Sequence, residues 1–175
     1  SWHFQENTNN KSVIWATDYD RNLYSKKGNN MYWEKSEFKP DGIPSGTGPA
    51  LKSGMDSAPG IFVIGDVDVL IGYGKTGLYA SDDKTTSYHE LIAESVSDVV
   101  MDQCGYLYAS YFGPTSQSHG GVLISKDKGK TFNWFGQGLE KTVVTDLEID
   151  KKTNTLYAAT WGQSILKIQL PKCGE

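Results

Sequence analysis

The chain is almost without arginine: of its 17 basic residues 16 are lysines, and Arg21 stands alone. An ammonium supplies charge but not the planar fork that grips a carboxylate with two bonds. Like charges form no block, and the formal net charge is −4. The basic stripe that a phosphate backbone requires is therefore missing, which excludes nucleic acid as a partner. No apolar run approaches the roughly 18–20 residues of a membrane helix, so no membrane span is expected. The histidines His3, His89 and His119 are scattered and make no metal-ligand spacing with the two cysteines, so neither a metal nor a cofactor is expected. No serine or cysteine nucleophile signature occurs. "GYGKTG", residues 72–77, lacks the register and following helix of a phosphate loop and reads as strand–turn–strand. Helical periodicity is absent throughout.

What is present describes a β protein. A length of 175 residues suits one domain, 1–175, with a core of its own. The 19 glycines and 12% aromatic content fit short strands joined by tight turns. Valine, isoleucine, tyrosine and tryptophan alternate with polar residues, and Gly, Asn and Asp interrupt them. Three segments align with one another: "VIWATDYDRNLYSKKGNNMYWEK", "YLYASYFGPTSQSHGGVLISKDKGKTFNWF" and "TLYAATWGQSILKIQL"; "VLIGYGKTGLYASDDKTTSYHELI" joins them more loosely. The short apolar strands "IFVIGD", "VSDVVMD" and "VTDLEID" precede three of these units. Four units of four antiparallel strands describe an all-β β-propeller of about four blades. The last unit is one strand short, whereas "SWHFQE" is spare at the start. Either "SWHFQE" forms the outer strand of the last blade and closes the ring, or it opens blade one and leaves the last blade incomplete. If four blades do not close alone, a homodimer could share one larger ring.

The segment 39–60 carries four of the six prolines and no apolar period, so it reads as a long loop insertion. Cys104 and Cys173 allow one disulfide tying the tail to the third repeat, the alternative being two separate buried thiols. "NKS" makes Asn10 a glycosylation candidate. The chain opens at Ser1 with neither methionine nor an apolar leader, as a mature form after signal removal or a trimmed chain would. An extracellular, secreted context is the expectation.

"ISKDKGKTFNWF" sets Ser125, Asp127, Gly129 and Thr131 in two-residue steps, followed by the ring of Phe132. "SDDKTTSY" repeats the pattern with Ser81, Asp83, Ser87 and Tyr88, Thr85 replacing the glycine, and "SKKGNNMYW" is a decayed copy around Ser25. A short carboxylate can accept from backbone N–H groups that a tight turn leaves unpaired, and hydroxyls add local bonds. The pattern resembles the Asp-box, or BNR-repeat, propellers, which include sialidases, sortilin-type receptors and xyloglucan-cleaving endoglucanases. The resemblance implies that Asp127 and Asp83 are folding elements remote from the ligand face. It also argues against sialidase activity, since the three arginines of that site have no counterpart beyond Arg21.

Glycoside hydrolysis needs two carboxyl groups across a groove. The pairs Asp18 and Asp20, Asp66 and Asp68, and Asp98 and Asp102 are candidates, and turn formation is the competing reading of each. Aligning the second strands puts Tyr19, Phe112 and Trp161 at equivalent positions, with Tyr73 as the counterpart in the second unit. The resemblance places them at a loop-lined rim with Gln163, Ser118 and His119, able to stack on sugar or grip a peptide; covering blade junctions is the competing reading. The expectation is a secreted, non-enzymatic module binding a glycan or protein ligand. The alternatives are an assembly protein that completes a larger ring, and a small glycoside hydrolase.

Overall fold

A computed structural model describes residues 3–6, 13–17, 23–35, 60–64, 69–74, 77–81, 89–92, 95–112, 120–136, 138–139 and 142–174. Among these there are fifteen strands and no helix. The first sheet holds β1 (His3–Glu6), β2 (Val13–Thr17), β3 (Leu23–Lys27) and β4 (Glu34–Lys35). The second holds β5 (Gly60–Ile64), β6 (Val69–Gly74), β7 (Gly77–Ser81) and β8 (His89–Ile92). The third holds β9 (Ser95–Met101), β10 (Leu107–Phe112), β11 (Gly121–Ser125) and β12 (Asn133–Phe135). The fourth has only β13 (Val144–Asp150), β14 (Thr155–Thr160) and β15 (Ile165–Gln169). Every sheet is an antiparallel meander in chain order, so each strand pairs with the one before it at the cost of one short loop closure.

That economy settles the place of the N-terminal strand. β1 pairs with β2, His3 opposite Thr17 and Glu6 opposite Ile14. It does not form the outer strand of the fourth sheet, and no pairing joins the first and fourth sheets among the described residues. Of the 39–60 insertion only Gly60 is described, as the first residue of β5.

Consecutive sheets pack through their first strands, β1 beside β5, β5 beside β9 and β9 beside β13. Period-two alternation then sends each strand's residues into two different cores. On β10, Leu107 and Ala109 pack with Leu78, Val96 and Val99 toward the second sheet. Tyr108 between them packs with Val144, Leu147 and Leu156 toward the fourth. Sheets on both sides explain why all of β11 is buried.

Among the described residues, the fourth sheet packs through one face against the third. Leu156, Ala158, Leu166 and Ile168 join the core shared with the third sheet. Ile165, Lys167 and Gln169 face outward and are exposed. Corresponding ladder positions show the change in chemistry. In the third sheet, Tyr108 is flanked across the ladder by Val100 and Ile124. In the fourth, Tyr157 is flanked by Glu148 and Lys167, both exposed. An aliphatic–aromatic–aliphatic row has become a charged one, as suits a terminal face in water.

Candidate functional site

Loops from the third and fourth sheets meet at one end of the molecule. The turn from β14 to β15 is tight: the N–H and hydroxyl of Thr160 both donate to the carbonyl of Ser164, at 3.0 and 2.7 Å. Gly162 (φ 86°) and Ser164 (φ 69°) take the left-handed backbone this reversal needs. The backbone N–H of Trp161 donates to the carbonyl of Val143 at 2.9 Å, fastening the turn to the connection between β12 and β13. Thr142 Oγ1 donates to Gln163 Oε1 at 3.4 Å across the same gap. Gly120, leading into β11, lies so close that a Cβ there would stand 2.3 Å from the Thr142 carbonyl oxygen. Three loops are thus drawn together through backbone contacts, and on their surface the Trp161 indole is 66% exposed.

Of the proposed rim, Trp161 and Gln163 lie at this end. Phe112 closes β10 opposite Ser95, and Tyr73 lies on β6 opposite Gly60 and Leu78; for both, the backbone alone is described. Tyr19, Ser118 and His119 lie outside the described residues, as do Asp18, Asp20, Asp66, Asp68 and Asn10.

The remaining carboxylate pair is not assembled as a pair. Asp102 belongs to the turn between β9 and β10: Oδ1 accepts from the N–H groups of Cys104 and Tyr106, and Oδ2 from the Tyr108 hydroxyl at 3.0 Å. Burial, and then the Asp102 charge and hydrogen bond, hold the Tyr108 phenol protonated well above its ordinary range. Asp98 turns instead toward the fourth sheet. Its Oδ2 accepts from Leu147 N at 2.9 Å, and its Oδ1 from its neighbour Val99 N at 2.8 Å. Burial pushes the carboxyl up to about 7; the Leu147 N–H opposes this, while a side-chain hydrogen bond and the charge of Asp146 add to it.

A β-bulge aims this group. The β9–β10 register shifts between Ala109 and Tyr111, and Ser110 Oγ fills the gap, accepting from the N–H groups of Ser97 and Asp98 at 3.2 and 2.7 Å. Ser97 Oγ donates to the Val144 carbonyl at 2.8 Å, so serine and aspartate both lock onto β13. β13 has the same irregularity between Val144 and Asp146. Asp146, Ser97 and Ser110 were missed by sequence reasoning, although "VSDVVMD" and "VTDLEID" put Asp98 and Asp146 at matching places.

The opposite end holds the turns. Ser125 Oγ donates to Asp127 Oδ1 at 2.7 Å and accepts from Gly129 N at 2.8 Å. Thr131 donates its N–H to Asp127 Oδ1 at 2.9 Å and its hydroxyl to Oδ2 at 2.6 Å. Slight burial works against ionisation, but these donors win and hold the Asp127 carboxyl down at about 2. Lys128 (φ 60°) and Gly129 (φ 87°) are both left-handed. The second copy of the pattern is described only at Ser81, the last residue of β7; Asp83 and Ser87 lie outside the described residues. Cys104 and Cys173 form a disulfide with a Cα–Cα distance of 5.3 Å, and Gly174 N donates to the Tyr106 hydroxyl beside it at 3.1 Å. No cluster of three or more potential metal ligands occurs among the described residues.

No protein-family model and no curated protein matches the chain. Solved structures do. An ancestral GH74 enzyme superposes with a TM-score of 0.62 at 16% identity, covering 97% of this chain and 22% of its own. The nidogen/laminin complex gives 0.60 at 13% identity, covering 94% of this chain and 59% of the other. YCF48 bound to D1 peptide gives 0.52 at 10% identity, with 89% and 47% covered. The chain therefore spans less than two thirds of each of these matched chains. At such identities the likeness concerns the fold alone, and that fold is the β-propeller.

Proposed function

We propose that this chain of propeller sheets is a secreted, non-enzymatic binding module that recognises a protein or glycan through the loop end carrying Trp161. The exposed indole carries the reading: a large amphipathic ring stands in water on a turn that backbone bonds hold rigid. Such a ring covers much area at low entropic cost when a ligand arrives. Gln163 supplies an adjacent polar group, and Tyr19, Tyr73, Phe112 and His119 complete the proposed rim. Two of the structural relatives are seen with a protein or peptide, which agrees with this role without assigning a ligand. The Cys104–Cys173 disulfide fits an oxidising, extracellular setting, in which Asn10 would be glycosylated. The turn built on Ser125, Asp127, Gly129 and Thr131 fits membership of the Asp-box group, with Ser81, Asp83 and Ser87 as its second copy.

A glycan array and pull-downs from extracellular fluid, each run with the wild-type chain and Trp161→Ala, test the proposal. Binding that the variant loses supports it; binding that the variant retains refutes the site. A second reading, an assembly protein sharing a larger ring, is favoured by two features of the described residues, the three-stranded fourth sheet and the lack of pairing between first and fourth sheets. Mass in solution separates the two: a strict monomer rules out ring-sharing. A glycoside hydrolase using Asp18 and Asp20 requires glycan cleavage that Asp18→Asn or Asp20→Asn abolishes.

A further inference from the structure

Beyond the loop end, the outer edge of β15 offers a second surface with its own chemistry. Antiparallel pairs alternate between residues that exchange both backbone bonds and residues whose N–H and C=O point away. The Thr160–Ser164 and Asn154–Leu170 bonds bracket the β14–β15 ladder, whose register is unbroken. Both fix the same parity, so Leu166 and Ile168 face β14 while Ile165, Lys167 and Gln169 turn their backbone groups outward. No described strand lies beyond them. The tail does not cover this edge either, because Cys173 is drawn to Cys104 beside the third sheet.

The third sheet displays what a covering strand looks like. There β12 pairs with β11, Phe135 opposite Val122 and Asn133 opposite Ile124. Phe135 meets Tyr108 edge-on at 5.0 Å between ring centroids, and both Tyr108 and Val122 are fully buried. In the fourth sheet, ladder for ladder, Tyr157 stands for Tyr108, Ile165 for Val122 and Lys167 for Ile124. Ile165 is 65% exposed, and the Lys167 ammonium stands over the half-buried Tyr157 ring, 6.0 Å from its centroid.

We infer that the β15 edge takes up an extended peptide strand, antiparallel, with an aromatic residue opposite Ile165 and an acidic residue two positions earlier, opposite Lys167. The aromatic repeats the place of Phe135 over the equivalent tyrosine. The acidic residue answers the change on the edge strand itself, lysine for isoleucine, since opposite charges across a ladder attract. Main-chain bonds to Ile165, Lys167 and Gln169 supply the affinity, as in other strand additions. A second copy of the chain fits poorly: two β15 edges in full antiparallel overlap put Lys167 against Lys167, and like charges facing each other repel.

The probe is a synthetic peptide copying residues 130–136 with Asn133→Glu, added to the intact chain and followed by amide hydrogen exchange. At saturation the Ile165, Lys167 and Gln169 amides should exchange about tenfold or more slower, since bonded amides exchange only on opening. Lys167→Glu should weaken this peptide about threefold to fivefold and favour the same peptide with Asn133→Lys by a similar factor, the range of an exposed cross-strand pair. Unchanged exchange at millimolar peptide overturns the proposal. So does indifference to the charge swap, and so does protection of the same amides by raising chain concentration without peptide, which would assign the edge to a second copy.

Discussion

Leu147 on β13 donates its backbone N–H to the side chain of Asp98 on β9 at 2.9 Å, so a carboxyl group holds the seam between the third and fourth sheets. Its proton affinity makes the seam sensitive to pH. The folded chain binds this proton more tightly than the unfolded chain, whose carboxyl titrates near 3.8. The contribution is complete below that value and is lost as pH rises toward about 7. Stability from chemical denaturation should therefore fall across this interval. Asp98→Asn, which keeps an acceptor for Leu147 and a donor for Asp146, should flatten the slope.

Asp127 supplies the opposite slope on the acid side. Its carboxyl is held at about 2 against an ordinary 3.8, so its contribution is present above that ordinary value and disappears as pH falls to about 2. Asp127→Asn should remove this acid-side dependence. Asp127→Ala should cost about 1–2 kcal/mol at neutral pH by stripping the turn of the acceptor for Ser125 and Thr131. Gly129→Ala, at φ 87°, should cost about as much through backbone strain.

These two aspartates mark how far the sequence could be read. The role of Asp127 was legible because every partner lies within a few residues, and a local pattern of hydroxyl, carboxylate and glycine encodes local geometry. Asp98 was grouped with Asp102 because the two lie on one stretch. The structure instead puts Asp102 in a turn and sends Asp98 across to another sheet. That direction depends on a one-residue bulge at Ser97 and Ser110, which period-two counting does not see. The strands themselves were legible from alternation, and so was the missing strand of the last sheet. The choice between the two placements of "SWHFQE" was not, because alternation gives a strand its faces and leaves its neighbour open.

Removing the disulfide should destabilise the chain by about 4 kcal/mol, from the chain entropy of a loop with sequence separation 69. Urea titrations with and without reductant measure this directly. Cys104→Ser combined with Cys173→Ser should give the same midpoint shift, and a shift under about 1 kcal/mol would mean that the tail is already fixed by other contacts.

Two tyrosines at matching ladder positions make a paired test of the solvated terminal face. Tyr108 is fully buried, so Tyr108→Ala should cost about 3–5 kcal/mol. Tyr157 is half-buried with one lysine over its ring, and Tyr157→Ala should cost clearly less, about 1–2 kcal/mol. Equal penalties in thermal or urea unfolding would mean that another surface covers the fourth sheet.

The near-contact between Gly120 and the Thr142 carbonyl has a practical corollary for redesign. A side chain at position 120 would wedge two loops apart and unseat the turn they carry, so position 120 tolerates no library. Trp161 and Gln163 project from that same support, between the left-handed positions that shape the turn, and the turn is fastened mainly by main-chain atoms. Diversifying them would re-aim the molecule toward new targets while the scaffold beneath keeps its shape.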